Sequence, residues 1–267
     1  MSEDVRTYDL RNATEAMLMS TFGKWNSYKG GRSWSICQET GMIAVDGPPT
    51  DATALVEVRE AAEQGPDPIA HIWRTKGEPM TATTFERDFG AALLHAADVS
   101  PWEVGHKRCS DIRHASIFAM ACIEATRVKR DRSHLDPRSC REEPGYISDE
   151  KTPNKVSPGL LQTLISTARE VADRYALYPG ELLGREDLMI AERSLVCGAA
   201  YMKFQVDRRE DDEAGFLNWD PVLLCASYNA GSVRSTTRNN WHLLTYGGNA
   251  RLEKFIAYYN DWLATFP

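Results

Sequence analysis

One acidic residue, Glu124, directly follows an apolar segment that is expected to be helical. Residues 117–123 read Ile-Phe-Ala-Met-Ala-Cys-Ile, and the carboxyl group comes next. A carboxyl group at the rim of a packed core loses part of its hydration, which favours its protonated form. Glu124 is therefore a candidate general acid. The alternative is a carboxylate that simply faces solvent at the end of a helix.

Two short segments further along the chain have residues suited to holding a polar substrate. Gly159-Leu160-Leu161-Gln162 combines a glycine, which permits close approach of a backbone or a ligand, with an amide that donates and accepts hydrogen bonds. Residues 226–231 read Ala-Ser-Tyr-Asn-Ala-Gly and place Tyr228 beside Asn229. Taken singly, the first segment is typical of a helix start and the second of a helix C-cap.

Taken together and in this order, the segments resemble the lytic transglycosylase and goose-type lysozyme superfamily, glycoside hydrolase family 23. Its members have a catalytic Glu at the end of a helix, followed by Gly-Leu-Met-Gln, Asn-x-x-Gly-Ala-x-Tyr-Leu and Ala-Tyr-Asn-Ala-Gly segments. Glu124 matches the first motif, and the stretches that match or resemble the other three are residues 156–168, 194–202 and 227–231. The resemblance covers about residues 103–267.

Several departures from the family pattern concern the outline of the cleft. Ala125 stands where the family has Ser or Thr, Ser194 replaces an Asn, and Ile165 replaces a proline. The 35 positions from Glu124 to Gly159 exceed the family's spacing, which predicts an insertion, and the segment between Ser157 and Gly159 is shortened. We expect the motifs to be kept in a cleft of altered shape.

The resemblance implies a muramidase that cleaves peptidoglycan. Glu124 would protonate the glycosidic oxygen between N-acetylmuramic acid and N-acetylglucosamine. The residues that it assigns to substrate binding are Ser157, Gln162, Tyr228 and Asn229. The expected partners are peptidoglycan glycan strands, with no nucleic acid and no membrane insertion, and neither a cofactor nor a metal ion is expected.

The sequence leaves open which of two reactions follows protonation. In a lytic transglycosylase the same carboxylate takes the proton of the muramoyl C6 hydroxyl, which closes a 1,6-anhydro ring. An inverting hydrolase needs a second carboxylate about 6.5–9.5 Å from the acid. The polar loop 127–155 contains Asp131, Asp136, Glu142, Glu143, Asp149 and Glu150. Asp136 and Asp149 are the first to test, although a solvated loop surface explains each carboxylate equally well.

The elements that must position these residues are predicted to be mostly helices. Phe85, Phe89 and Leu93 share one stripe of a predicted helix over residues 83–97. The other predicted helices cover 52–63, 110–126, 158–175 (opened by Ser157-Pro158), 186–206, 221–228 and a last amphipathic segment capped by Asn249. A strand is expected at residues 42–45. The predicted fold class is mainly α, with a lysozyme-like catalytic domain preceded by a small mixed α/β N-terminal region.

The balance of acidic and basic residues changes near residue 102. Residues 1–102 hold 9 Lys/Arg and 15 Asp/Glu, whereas residues 103–267 hold 22 and 23. Every motif lies in 103–267, the predicted peptidoglycan-cleaving domain. Residues 1–102 are predicted to serve targeting, wall binding or docking to a delivery partner. Their negative charge disfavours a purely electrostatic attraction to an anionic wall.

Composition excludes several classes of protein. Apolar residues make up 42% and charged residues 26%, as in globular proteins, and the net charge of −7 disfavours binding to nucleic acid. The acidic N-terminus has no apolar signal segment, so we expect synthesis in the cytoplasm and action on the wall after pore release or machine-assisted export, as an endolysin or an antibacterial effector. The six cysteines lack a CxxC pair and are expected to be free thiols, with one or two disulfides as the alternative.

Two other functions stay open at this point. A non-catalytic protein would use a lysozyme-like groove to bind glycan or a protein partner, and a chitinase would use the same scaffold on a related polymer. Patterns typical of other catalytic classes, such as GxSxG, HExxH, GxxxxGK[ST] and GxGxxG, do not occur.

Overall fold

Helices form most of the regular structure in the computed structural model. It describes residues 26–37, 39–45, 80–102, 106, 108–125, 135–208, 220–246 and 250–267. Within these ranges the helices are α1 (Ala82–Val99), α2 (Cys109–Ala125), α3 (Ile165–Tyr175), α4 (Arg185–Leu188), α5 (Ala191–Asp207), α6 (Pro221–Ala230) and α7 (Arg251–Thr265). The strands are β1 (Asn26–Ser27), β2 (Ser33–Ile36), β3 (Ile43–Val45), β4 (Cys140–Glu142) and β5 (Val156–Pro158). The mainly α class is confirmed, and the predicted helix at 52–63 and the Asn249 cap lie outside the described residues.

Strands β1, β2 and β3 form a small antiparallel sheet that is tied to the last helix. Trp34 pairs with Val45 and Ile36 with Ile43 in the register between β2 and β3. The buried Asn260 side chain on α7 accepts the N–H of Ile43 and donates to its carbonyl oxygen, both at 2.8 Å. The amide thereby satisfies the backbone of β3 as a neighbouring strand would.

Residues on both sides of the predicted boundary at residue 102 contribute to one hydrophobic core. Phe118 of α2 lies at its centre, with its ring 5.1 Å from that of Phe85 and 5.3 Å from that of Trp262. Helix α2 packs along α7, and α1 packs along α5. The N-terminal sheet and α1 therefore support the helices that bear the motifs. The separate role predicted for residues 1–102 stays a prediction.

One helix prediction was wrong next to the candidate site. Ser157 and Pro158 do not open a helix, because residues 156–158 form β5, which pairs antiparallel with β4 of the inserted loop. The chain then turns at Gly159, with φ +84°, and α3 begins only at Ile165. Pairing with a strand that is distant in sequence outweighed the local helix-start signal, as tertiary contacts often do.

The predicted helix over residues 186–206 is two helices, α4 and α5. The chain is extended at Ile190, with φ −80° and ψ +121°, immediately before α5. Helices α1, α2 and α6 begin and end within two residues of their predicted bounds. All six cysteines are free thiols. Among the described helices, none combines the length and the apolar composition that crossing a membrane requires.

Candidate functional site

Glu124 is the penultimate residue of α2, at the rim of the core, as the sequence predicts. The ten residues of α2 that are buried include Phe118, Met120 and Cys122, whereas the Glu124 side chain keeps 15% of its surface exposed. The carboxylate forms an ion pair with Arg251, the first residue of α7, whose side chain is only 6% exposed. The helix thus presents a partly buried carboxyl group against a nearly buried guanidinium.

Arg251 was missed by the sequence analysis. Burial acts to lower the pKa of its guanidinium, but the neighbouring Glu124 and Cys225 reverse this, and the net shift is upward. Arg251 is therefore a permanent positive charge. A signal was available in the sequence, because Arg251 lies 4, 7 and 11 residues before Phe255, Tyr258 and Trp262, on the apolar stripe of α7.

Tyr228 on α6 joins the site to the Gly159–Gln162 segment. Its buried hydroxyl donates to the Leu161 carbonyl oxygen at 2.9 Å and lies 2.9 Å from the Thr163 hydroxyl. Burial raises the pKa of Tyr228 well above its ordinary value, and the Glu124 charge contributes to the rise. The hydroxyl is neutral and bound to protein groups, so the structure gives it a positioning role. Its contact with substrate stays a prediction.

The Gly159–Gln162 turn is held tightly from two sides. Gln162 has a left-handed backbone with φ +47°, and its side-chain Nε2 donates to the carbonyl oxygens of Gly159 (2.7 Å) and Ser139 (3.1 Å). The N–H of Leu161 donates to Ser194 Oγ at 3.2 Å. Ser194, a departure from the family pattern, thus supports the turn from α5. A strained backbone at a non-glycine residue is common at functional sites.

The two remaining predicted binding residues lie on α6 and on β5. Asn229 follows Tyr228 on α6, and its Oδ1 accepts the backbone N–H of Tyr246. The Tyr246 residue is 56% exposed. Ser157 is buried in β5, opposite Arg141 of β4. Asn229 therefore fixes a loop that carries an exposed aromatic ring, while Ser157 belongs to the hairpin that leads into the turn.

The loop carboxylates differ in how firmly they are engaged. Asp149 accepts Tyr146 Oη at 2.7 Å through Oδ1 and the Arg185 N–H at 2.8 Å through Oδ2, which ties the loop to α4. Asp136 is exposed and accepts the N–H of Arg138 at 2.8 Å. Asp149 is thus held both within the loop and by α4, and a part for Asp136 or Asp149 in activating a water molecule stays a prediction. Asp131 lies outside the described residues.

Comparisons with protein-family models and with curated proteins found no relative of this chain. In the part of the chain that the structure describes, no group of three or more His, Cys, Asp or Glu side chains is arranged to hold a metal ion. The case for a function therefore rests on the residues around Glu124.

Replacing Tyr228 with Phe should weaken the link between α6 and the turn. The Leu161 carbonyl and the Thr163 hydroxyl would each lose a buried partner, so we expect the free energy of unfolding to fall by about 1–3 kcal/mol. Urea denaturation measures this. Tyr175→Phe is the control, since it removes a hydroxyl bonded to Asp207 (2.9 Å) at a half-buried site. Equal losses in the two variants would contradict the role assigned to Tyr228.

Proposed function

We propose that the protein cleaves the β-1,4 bond between N-acetylmuramic acid and N-acetylglucosamine in peptidoglycan, with Glu124 as the general acid. The observation that supports this most is the meeting of three distant segments beside one carboxyl group. Tyr228 bonds to Leu161 and lies close enough to Glu124 for its pKa to respond to the Glu124 charge. This is the grouping that a lysozyme-like domain requires, and we propose that fold for the helices bearing the motifs.

In the proposed reaction Glu124 gives its proton to the glycosidic oxygen as the bond to the muramoyl C1 breaks. The N-acetylglucosamine leaves with that proton, and positive charge develops at C1 and the ring oxygen. Glu124 is then a carboxylate. In the transglycosylase reaction it acts as the base and takes the proton of the C6 hydroxyl of the same sugar, which gives the 1,6-anhydro product. In an inverting hydrolase a second carboxylate would take the proton of the water that attacks C1.

The other predicted residues would orient the sugar. Gln162 Nε2 and Asn229 Oδ1 are bonded to backbone groups, so Gln162 Oε1 and Asn229 Nδ2 are the atoms that would bind hydroxyl and N-acetyl groups of the glycan. Tyr228 would act through the turn that it holds. We place the site of action at the bacterial cell wall, in the role of an endolysin or a delivered antibacterial effector.

One observation favours a non-catalytic alternative. The Glu124 carboxylate forms an ion pair with the nearly buried Arg251 guanidinium, so the side chain is already engaged without any substrate. A protein that only binds glycan could keep the Glu124–Arg251 pair as a structural element. Binding without cleavage is therefore the second candidate function.

Product analysis separates these possibilities. The protein is incubated with purified peptidoglycan, and the soluble products are weighed by mass spectrometry, with chitin oligomers as a parallel substrate. Anhydro-muropeptides indicate a transglycosylase, and products heavier by one water indicate hydrolysis. Cleavage of chitin alone would support a chitinase. Retention on peptidoglycan without any product would support the binding protein and contradict the proposal.

A further inference from the structure

Burying the Arg251 side chain costs free energy, because a charged group leaves water. Its guanidinium contacts Glu124 and lies 3.9 Å from Met120 Sδ, and its Nε is buried with no hydrogen-bond partner among the described residues. Replacing a buried ion pair by apolar side chains of similar volume is often neutral or stabilising. The pair is therefore weak as a source of stability, which suggests another role.

The start of α7 is fixed by a second buried ion pair, two residues further on. Glu253 Oε1 accepts Trp241 Nε1 at 2.7 Å and Arg32 Nη1 at 3.2 Å. Because this first turn is attached to both the loop before α7 and the N-terminal sheet, Arg251 is presented to Glu124 from a rigid support. The carboxylate can be oriented only if its partner does not move with it.

We propose that Arg251 is a positioning residue that orients the Glu124 carboxylate towards the glycosidic oxygen. This inference rests on the proposed function. The guanidinium contacts the carboxylate from a helix start that is itself tied to the loop before α7 and to the N-terminal sheet. It therefore limits the orientations that the Glu124 carboxyl group can adopt.

The other titratable groups placed against Glu124 in the described residues lie on α6. They are Cys225 and Tyr228. Burial raises the pKa of the Cys225 thiol to about 12 and that of the Tyr228 hydroxyl well above its ordinary value, so both are neutral near neutral pH. Arg251 thus supplies the fixed charge on this side of Glu124.

The test uses Arg251→Met, Arg251→Lys and the control Arg108→Met, with kcat and KM measured on soluble, uncrosslinked glycan strands of peptidoglycan. Without the guanidinium the carboxyl group is no longer held in place, so we expect kcat to fall about 10- to 100-fold in R251M with KM nearly unchanged. R251K keeps a positive charge and should recover part of the loss in kcat.

Arg108→Met removes a guanidinium that bonds to Asp111 and to the carbonyl oxygens of Thr40 and Phe266 near the start of α2, whereas Glu124 lies near its end. It should lower stability and leave kcat unchanged, which separates a structural effect from a positioning effect. A folded R251M with the wild-type kcat would overturn the inference. If R251M does not fold, R251K is used alone, and an unchanged kcat in that variant would overturn it.

A second readout does not depend on activity. Crystal structures of the wild type and of R251M or R251K should show a different orientation of the Glu124 carboxyl group once the guanidinium is lost. An unchanged orientation would overturn the role of Arg251. A wild type in which Arg251 holds Glu124 but which cleaves no peptidoglycan would instead contradict the proposed function.

Discussion

Glu124→Gln is expected to lower the rate of peptidoglycan cleavage about 1000-fold or more, since a general acid contributes about 10²–10⁴ in rate and Gln has no proton to give. Gln keeps the shape of the side chain and an oxygen that can accept from Arg251. The fold should therefore be retained, with a free energy of unfolding lower by about 1–3 kcal/mol because the guanidinium loses its charged partner. Release of soluble muropeptides measures the rate, and circular dichroism with urea denaturation measures the fold.

Glu192→Gln is the matched control for this variant. Glu192 is exposed on α5, 3.5 Å from His95, and has no part in the site. It should change neither the rate nor, beyond a few tenths of a kcal/mol, the stability. A folded E124Q protein that cleaves as fast as the wild type would remove Glu124 from the mechanism.

Gly159→Ala should cause the largest loss of stability among single substitutions in the turn. Gly159 has φ +84°, and a Cβ atom there would lie within 3.0 Å of the Leu188 carbonyl oxygen and of Ser194 Oγ. The left-handed backbone alone costs about 1–2 kcal/mol for Ala, and displacing a backbone carbonyl adds to it. We expect a loss of about 3 kcal/mol or more in the free energy of unfolding, measured in urea.

The rate of cleavage by Gly159→Ala should fall together with its stability, because the turn carries Leu161 and Gln162. Gly145→Ala is the control, since Gly145 also has a left-handed backbone, with φ +87°, but no described atom lies within 4 Å of the position that its Cβ would take. It should show the backbone cost alone, about 1–2 kcal/mol, and full activity. An equal loss of stability in the two variants would contradict the close packing that the structure gives Gly159 against α4 and α5.

The parts of the site that follow from local sequence were predictable. The apolar period of α2 places Glu124 at the helix end, and α6 ends just after Asn229 as expected, with Gly231 in a left-handed C-cap. Both features depend on residues within a few turns of each other, where side-chain period and capping determine structure.

The parts that depend on distant residues were not predictable. Residues 156–158 form a strand because Cys140–Glu142 pairs with them, and nothing near Ser157 carries that information. The partner of Glu124 lies 127 positions away, at Arg251. A charged residue on an apolar helix stripe indicates a buried partner, but sequence alone does not say which acid it meets.

The same limit applies to the support beneath the site. Asn260 bonds to the backbone of Ile43, and Asp261 Oδ2 accepts the N–H of Ala82 at 3.0 Å at the start of α1. These polar side chains on α7 join the N-terminal sheet and α1 to the helices of the site. The charge division near residue 102 gave no sign of this shared core.

The release of soluble muropeptides from purified peptidoglycan, followed side by side for the wild type and E124Q, tests the role of Glu124 most directly. We expect the wild type to release anhydro-muropeptides or their hydrolysed counterparts, and folded E124Q to release essentially none. Release by folded E124Q at the wild-type rate, or no release by the wild type from acidic to alkaline pH, would contradict the proposal that Glu124 cleaves the glycan.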